Sequence, residues 1–485
     1  MLDLEPNLSK IAEIASDKKE IEKQHQELEK WRNLNTFYYQ SIENSCKCIV
    51  QTSSNVLEIG SGLGYVLNSV DPNYGLGIDI NPASVEYAGN KFPHLNFKIE
   101  DAECFSSDKD FEYILIVNTL SCVDNVQKVL YNVNQLCNLS TRIVLVFHNP
   151  AWEPILQFAS LIGQRRPSPK LNWLSAEDVK NLLSLVNLEV VTHSKYCLLP
   201  KRIPLLSWFV NKLVAPLPLV NGLCLNECII ARREPRFSKN EEIASQLSCS
   251  VIVPARNEAG NIEDCITRMP KLGRHTEIIF IEGYSEDNTW EEMQRVQTLY
   301  PDWDIKIVRQ SGKGKGIAVR QGFAMATGDV LIILDSDLTV RPEDLGHFFN
   351  AVASNNCELA NGCRLIYPLD KESMPWLNQL ANRFFAWLLS YLLNIKIKDS
   401  LCGTKALSKE NYQKIADNRS YFGDFDPFGD FDLLFGAAKL NLKIKDVPVR
   451  YMPRQYGESN ISHFKEGLVL LKMCLFAARK IKFLG

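Results

Sequence analysis

Val330-Leu331-Ile332-Ile333-Leu334-Asp335-Ser336-Asp337 decides how the carboxy-terminal half of this chain is read. Five consecutive apolar residues, with Gly328 before them and Pro342 shortly after, predict a strand buried on both faces. Side chains two apart on an extended chain share a face, so Asp335 and Asp337 are expected side by side at the strand's carboxyl end. Open α/β sheets bind their ligands there. Two uncompensated anions at that spacing repel, and a divalent cation with oxygen ligands relieves the repulsion. A hard cation held by one or two carboxylates keeps coordination positions for substrate phosphates. The stretch therefore predicts a metal–diphosphate site; the alternative is a solvated Asp-Ser-Asp turn.

Working outward, the same half opens with the strand Ser250-Val251-Ile252-Val253-Pro254-Ala255, followed by Arg256-Asn257-Glu258. A second strand over 277–281 runs into Glu282-Gly283-Tyr284-Ser285-Glu286-Asp287-Asn288-Thr289. Gly312-Lys313-Gly314-Lys315-Gly316-Ile317-Ala318 is a flexible, cationic loop ahead of a helical pattern, which suits phosphate contact at a helix start. These pieces, Val253 to Glu258, Glu282-x-x-Ser285-x-Asp287-x-Thr289, Gly314-Lys315-Gly316 and Asp335-Ser336-Asp337, resemble in order the glycosyltransferase family 2 enzymes of GT-A fold. The family usually shows Asp where this chain has Glu282.

That resemblance implies a nucleotide-sugar-binding sheet and a nucleotide diphosphate-sugar donor. Pro254, Ala255, Glu258, Glu282 and Asp287 would line the nucleotide pocket, with Lys315 and Ser336 beside the donor. Asp335 and Asp337 would bind Mg²⁺ or Mn²⁺, Asp337 the more strongly. Asp399-Ser400-Leu401-Cys402-Gly403-Thr404-Lys405 resembles the acceptor-side loop of the polyprenyl-phosphate sugar synthases in this family. Further on, Arg454-x-x-Gly457-x-Ser459 offers a bidentate guanidinium for the donor diphosphate; alternatively Arg454 pairs with a surface carboxylate. Family 2 transferases invert the anomeric centre, and a hydroxyl acceptor then needs a carboxylate base. Asp430 or Asp432, in Gly429-Asp430-Phe431-Asp432, is the candidate; the alternative for either is a cap on the following helix. A lipid phosphate acceptor is already ionised and needs no base.

The amino-terminal half has its own signature. Asn55-Val56-Leu57-Glu58-Ile59 is an apolar strand leading straight into Gly60-Ser61-Gly62-Leu63-Gly64, and a helical pattern follows. Glycines there permit a tight turn and close approach of backbone to ligand. A second strand ends at Asp79, placed to accept bonds from ribose hydroxyls. The third ends in Glu100-Asp101-Ala102-Glu103, and the fourth, over 113–117, at Asn118. Polar residues at four successive strand ends form one crevice, with spacing that suits NAD or S-adenosylmethionine.

Glu58 through Gly64, Asp79, Asp101-Ala102 and Asn118 closely resemble the class I S-adenosylmethionine-dependent methyltransferases. By that resemblance Glu58, Gly60, Gly62 and Gly64 would surround the methionine part of the cofactor, Asp79 would hold the ribose, and Asp101 with Ala102 would border adenine. His148, after the strand 143–147, is either a base for a hydroxyl acceptor or a hydrogen-bonded structural histidine. The methyl acceptor stays unassigned.

Together these readings predict an α/β protein of two doubly wound domains, a Rossmann-like methyltransferase sheet followed by a GT-A sheet. The expected boundaries are a helical segment over 1–48, a methyltransferase domain over 49–232, a linker over 233–247 and a glycosyltransferase domain over 248–485. The expected function is sugar transfer to a glycan or polyprenyl-phosphate acceptor, joined to methylation of an unknown acceptor. The alternative is a single-activity glycosyltransferase carrying a catalytically idle, cofactor-binding docking domain.

Composition bounds the rest. A chain of 485 residues exceeds what one core organises, and 46% hydrophobic with 23% charged residues is ordinary for a globular protein. A net charge of −3 leaves no electrostatic footprint for nucleic acid. Fourteen scattered cysteines lack zinc-site spacing and suit reduced thiols in the cytoplasm. Residues 1–30, polar and rich in Lys and Glu, do not read as a signal peptide. Three apolar stretches edged with Lys and Arg, 203–225, 384–395 and 467–478, suit either core helices or peripheral contact with the inner face of the cell membrane.

Overall fold

The structure, a computed structural model, describes residues 18–167, 172–235, 245–367, 376–419, 429, 431–454, 456 and 463–483. The chain divides after Glu234 into two compact units. Among the described residues each is built on a seven-stranded sheet.

In the first unit the strands are β1 (Asn55–Ile59), β2 (Tyr74–Asp79), β3 (Asn96–Ile99), β4 (Tyr113–Val117), β5 (Arg142–His148), β6 (Leu188–Tyr196) and β7 (Asn226–Arg233). Their order is β3-β2-β1-β4-β5-β7-β6. All neighbours run parallel except β7, which is antiparallel to both β5 and β6. Alternation along β1 feeds two cores: Leu57 and Ile59 join one apolar cluster, Val56 the other. Both faces are therefore covered, which is why the strand shows an unbroken buried run. The amino-terminal helical reading resolves into two helices, Lys18–Leu34 and Thr36–Ile49, separated at Asn35. Ile42 and Cys46 bury the second of them against the same core as Val56. These helices belong to the first compact unit and do not stand apart from it.

The second unit contains β8 (Ser248–Ala255), β9 (His275–Glu282), β10 (Asp304–Arg309), β11 (Val330–Ile333), β12 (Leu359–Cys363), β13 (Lys405–Ser408) and β14 (Ile444–Pro448). The order is β10-β9-β8-β11-β13-β12-β14, with β13 antiparallel to β11 and β12. Strand β11 lies between β8 and β13, and all four of its residues are buried. Burial of each such aliphatic side chain stabilises by roughly 1.5–3 kcal/mol.

Both units place a switch in strand order beside their first strand. The chain moves outward from β1 to β2 to β3, then sets β4 on the other side of β1; it does the same with β8, β9, β10 and then β11. The helices that follow neighbouring strands then leave in opposite directions, and a crevice opens at the strands' carboxyl ends.

The apolar stretch at 203–225 forms only short pieces, Leu206–Phe209, Val210–Val214 and Asn221–Leu223, because Pro204, Pro216 and Pro218 interrupt it. The other two stretches lie in helices Trp376–Leu393 and His463–Ala477, which pack on each other. Among the described residues no helix is long and apolar enough to cross a membrane. All fourteen cysteines carry thiols.

A buried ion pair fixes the start of the 399–405 loop in the second unit. Asp399 is fully buried and accepts from Arg364 Nε at 2.8 Å, Arg364 Nη2 at 2.9 Å and Asn382 Nδ2 at 2.9 Å. Burial would raise the carboxyl's pKa, but the Arg364 charge and its hydrogen bonds outweigh that and hold it at about 2. A carboxyl depressed in the folded state contributes stability that is complete above its unfolded value of about 3.9 and lost as pH falls through the folded value. Stability of this unit should therefore decline between about pH 4 and pH 2 in the parent chain. Asp399→Asn should cost about 3–5 kcal/mol in denaturant unfolding at neutral pH, because it leaves the Arg364 charge buried without its partner.

Candidate active sites

In the first unit, β1 ends in a turn that only glycine fits. Gly60 has φ of +72°, and a Cβ there would strike the Thr119 side chain, whose Oγ1 donates to Ile59 O at 3.0 Å. The turn is held from the next strand: Gly60 N and Ser61 N donate to Ile78 O at 2.8 and 2.9 Å. Asp79, ending β2, accepts from Gly62 N at 2.8 Å and Asn81 N at 2.8 Å. Burial raises its pKa, and those two amides work against the rise. Glu58 is buried and accepts from Leu67 N at 3.0 Å; burial drives its pKa well upward.

A cavity of about 410 Å³ opens over this turn. Its walls include Glu58, Gly60, Gly62 and Asn118. Asp79, Gly64, Asp101 and Ala102 are not part of its wall; Asp79 reaches it through the Gly62 amide. Asp101 accepts from Glu103 N at 2.9 Å, and Ala102 packs against the core. Ser61 and Asn118 line the cavity, and their Oγ and Oδ1 atoms are buried without a hydrogen-bond partner.

The cavity also draws on residues that the strand-end pattern could not reveal. Tyr38, from helix Thr36–Ile49, bonds His148 Nε2 at 2.8 Å and receives Asn118 Nδ2 at 3.1 Å. His148 is the last residue of β5, opposite Asn226, rather than the first of a loop. Burial, helped by the Arg165 charge, lowers its pKa to about 4, so it is neutral at physiological pH. Burial likewise drives the Tyr38 phenol upward and keeps it protonated. The run Phe37-Tyr38-Tyr39 was visible as an aromatic cluster in a helical segment, but nothing local placed it over a pocket.

The second site differs from the expectation in one respect. Strand β11 ends at Ile333, so Asp335, Ser336 and Asp337 lie in a turn closed by Leu338 N donating to Asp335 O at 3.2 Å. The face-sharing of an extended chain does not apply to them, and the two carboxylates take different cations. Asp335 pairs with Lys315 Nζ at 2.6 Å. Asp337 Oδ2 accepts from Arg454 Nη2 at 2.8 Å, and its Oδ1 takes Thr339 Oγ1 at 2.9 Å. Each carboxylate of the pair thus has its own cationic partner.

Arg454 gathers a third carboxylate: its Nη1 donates to Glu258 Oε1 at 3.2 Å. Burial raises the Glu258 pKa to about 7, with Arg454 opposing and Asp337 and Asp287 adding to the rise. Loop hydrogen bonds fix the approach: Ser336 Oγ donates to Pro254 O at 2.9 Å, Glu258 N to Thr289 Oγ1 at 2.9 Å, and Ala259 N to Asp287 Oδ2 at 3.3 Å. Ala255 is buried at the end of β8, and Glu282 accepts from Ser285 N at 2.5 Å. The ends of β8, β9 and β11 therefore converge through this network. Helix Lys315–Met325 starts at the same place, with Gly314 at φ +105° before it. Among the described residues no three His, Cys, Asp or Glu side chains form a cluster able to hold a metal ion by themselves.

Asp432, one of the two candidate bases, is buried at the start of helix Phe431–Lys439, accepts from Arg419 Nε at 2.9 Å and lies 3.9 Å from Arg320 Nη1. Asp430, Gly457 and Ser459 lie outside the described residues.

Each unit therefore carries a crevice at the switch point of its own sheet. Residues 18–193 match the family model described as Methyltransferase domain, and residues 250–416 match Glycosyl transferase family 2. The chain thus matches a methyltransferase domain model in its first unit and a family 2 glycosyltransferase model in its second. Among its relatives, a dolichol-phosphate mannosyltransferase of Pyrococcus furiosus is 30% identical over 222 residues, covering 44% of this chain and 59% of the relative. A low-salt glycan biosynthesis hexosyltransferase of Haloferax volcanii is 27% identical over 248 residues, covering 51% and 57%. The chain therefore spans less than two thirds of either relative's length. Among solved structures, glucosyl-3-phosphoglycerate synthase from Mycobacterium tuberculosis, in complex with Mn²⁺, UDP and glucosyl-3-phosphoglycerate, is 17% identical. That likeness covers 51% of this chain and 84% of that one, with a TM-score of 0.37.

Gly403 gives the second site a sharp test. A Cβ on it would overlap both the Asp335 carboxylate and the Lys315 ammonium, so Gly403→Ala should separate that pair. Hydrogen bonds between charged groups contribute roughly 1.5–3 kcal/mol, so calorimetry should show nucleoside diphosphate affinity falling about tenfold or more. Unchanged affinity would place the 399–405 loop away from the ligand.

Proposed function

We propose that the second unit transfers a sugar, with inversion, from a nucleotide diphosphate-sugar to a glycan or polyprenyl-phosphate acceptor, and that the first methylates an acceptor with S-adenosylmethionine. The observation that carries the sugar-transfer reading is the convergence on Arg454. One guanidinium from late in the chain draws together Asp337 after β11 and Glu258 after β8. Carboxylate oxygens aimed at a single positive charge are the donor chemistry of a hard divalent cation, so Asp337 with Glu258 fits Mg²⁺ or Mn²⁺. Asp335 and Lys315 stand beside them. Such an ion supplies positive charge to the leaving diphosphate.

The chain's own cations do the same work. Arg454 is placed to make bidentate contact with phosphate oxygens once released from its carboxylates, and Lys315 adds a point charge at a helix start. Electrostatic help of this kind is commonly the largest catalytic contribution. Pro254, Ala255, Glu258, Glu282 and Asp287 form the nucleotide side. For a hydroxyl acceptor Asp430 or Asp432 is the candidate base.

For the methyltransferase unit, a cavity of ligand size over the glycine turn, lined by Ser61, Asn118 and aromatic side chains, fits a cofactor of this class. Gly60, Gly62 and Asn118 line its place, and Asp79 holds the glycine turn in shape. Reduced thiols and the apolar surfaces favour a cytoplasmic protein in peripheral contact with the membrane's inner face.

Asp337→Asn should lower sugar transfer at least about 100-fold while methyl transfer persists. Radiolabelled donor and a methyl-release assay read the two activities separately, and loss of both would mean the units do not act independently. Asp79→Ala should weaken S-adenosylmethionine binding about tenfold by freeing the Gly62 amide, and an unchanged dissociation constant would remove Asp79 from the site. Cofactor binding without any methyl release would favour a docking role for the first unit. Extraction of labelled product into organic solvent would identify the acceptor as lipid-linked.

A further inference from the structure

We infer that the first unit docks on an anionic lipid bilayer through the face formed by helix Glu153–Leu161 and the 203–223 segment, beside the mouth of its cavity. These two pieces are neighbours: Trp152 Nε1 donates to Leu223 O at 2.7 Å, Asn149 Nδ2 to Gly222 O at 2.9 Å, and Lys201 Nζ to Gln164 Oε1 at 3.1 Å. Together they hold an unusual density of large apolar side chains in water. Leu161, Leu205 and Leu219 are 85%, 87% and 96% exposed, and Phe158, Trp208 and Phe209 are each half exposed or more. Scattered exposed leucines need no explanation, but a contiguous set on one face does.

Leu205 shows that this exposure is imposed by the backbone. It has φ of +62°, a region that a branched side chain seldom occupies, and it leads into helix Leu206–Phe209 and a π-turn over Val210–Val214. Strain of this kind persists where the surrounding structure or a function requires it. Here the strained residue holds its side chain in solvent, so no packing within the chain accounts for it.

Charge selects the occupant. Residues 154–167 and 196–225 contain no Asp or Glu, yet they carry Arg165, Arg166, Lys201, Arg202 and Lys212, in a chain whose net charge is −3. Glu153 and Glu27, which lies 3.7 Å from Arg166, are acids at the margin. Apolar side chains rimmed by cations match a headgroup layer that is anionic above and hydrocarbon below. A second copy of the same basic face would repel it.

The cavity opens at this rim, with Leu156, Ala159, Gln164, Arg165, Pro200 and Lys201 among its walls. Resting on the methyltransferase reading above, the docking implies that the methyl acceptor is an amphiphile whose polar head enters from the bilayer. The docking itself does not depend on that reading.

The test uses the full chain with vesicles of phosphatidylcholine, with and without phosphatidylglycerol. Co-sedimentation should require the anionic lipid, and amide exchange should slow on vesicle binding in 153–162 and 203–223. Leu205→Asp combined with Leu219→Asp should cut partitioning by about tenfold or more, since each removes an apolar side chain from the docked face. Calorimetry with S-adenosylmethionine on the same variant reports both folding and the separate cofactor reading. Three results would overturn the inference: no vesicle binding, protection confined to helices 376–393 and 463–477, or sedimentation showing that the face is covered by a second copy.

Discussion

Both units depend on one constraint: a parallel strand whose two neighbours are reached by connections leaving in opposite directions. Strand β1 and strand β8 each occupy that position, and their carboxyl ends cannot be covered by the crossing helices. Buried backbone must satisfy its own polar groups, so loops at such ends turn inward and bind one another. In the first unit this produces the Asp79–Gly62 bond beneath the glycine turn. In the second it produces the network from Glu258 to Thr289 and from Ser336 to Pro254. The linings differ: the first crevice joins glycine backbone and aromatic side chains to Arg32, Arg165, Arg166 and Lys201, whereas the second sets carboxylates and cations together in ion pairs.

The second crevice is charged on both sides of the balance. Three carboxylates, Asp335, Asp337 and Glu258, face Lys315 and Arg454 within hydrogen-bond distance or close to it. Each of these ion pairs is partly accessible, so a diphosphate with its cation can exchange for them without exposing an unpaired charge. The Asp399–Arg364 pair is different: it is buried, satisfied on every side, and fastens a loop rather than offering itself to a ligand. Position relative to the switch point separates these roles; the residue types are the same.

The methyltransferase crevice shows the complementary design. Tyr38 and His148 in its wall are held neutral by burial, while Arg32, Arg165, Arg166 and Lys201 bring positive charge to the same lining. The same unit exposes its most apolar surface next to that cavity, so substrate access and surface character are linked in one short stretch of sequence.

Local chemistry alone determined much of this. Residues Asn55 to Gly64 already specify a strand and a glycine turn, and Val330 to Asp337 a buried strand followed by carboxylates, because burial and backbone freedom act over a few residues. Strand ends such as Asp79, Asn118 and Glu258 were legible for the same reason. Only the tertiary structure decided which charge meets which. Arg454 lies 117 residues from Asp337 and 196 from Glu258, and Tyr38 lies 110 from His148. Electrostatic and hydrogen-bond partners depend on distance in space, and chain connectivity over such spans sets no distance at all. The same holds for Asp432, read from the sequence as a base or a helix cap, beside which the fold sets Arg419 and Arg320.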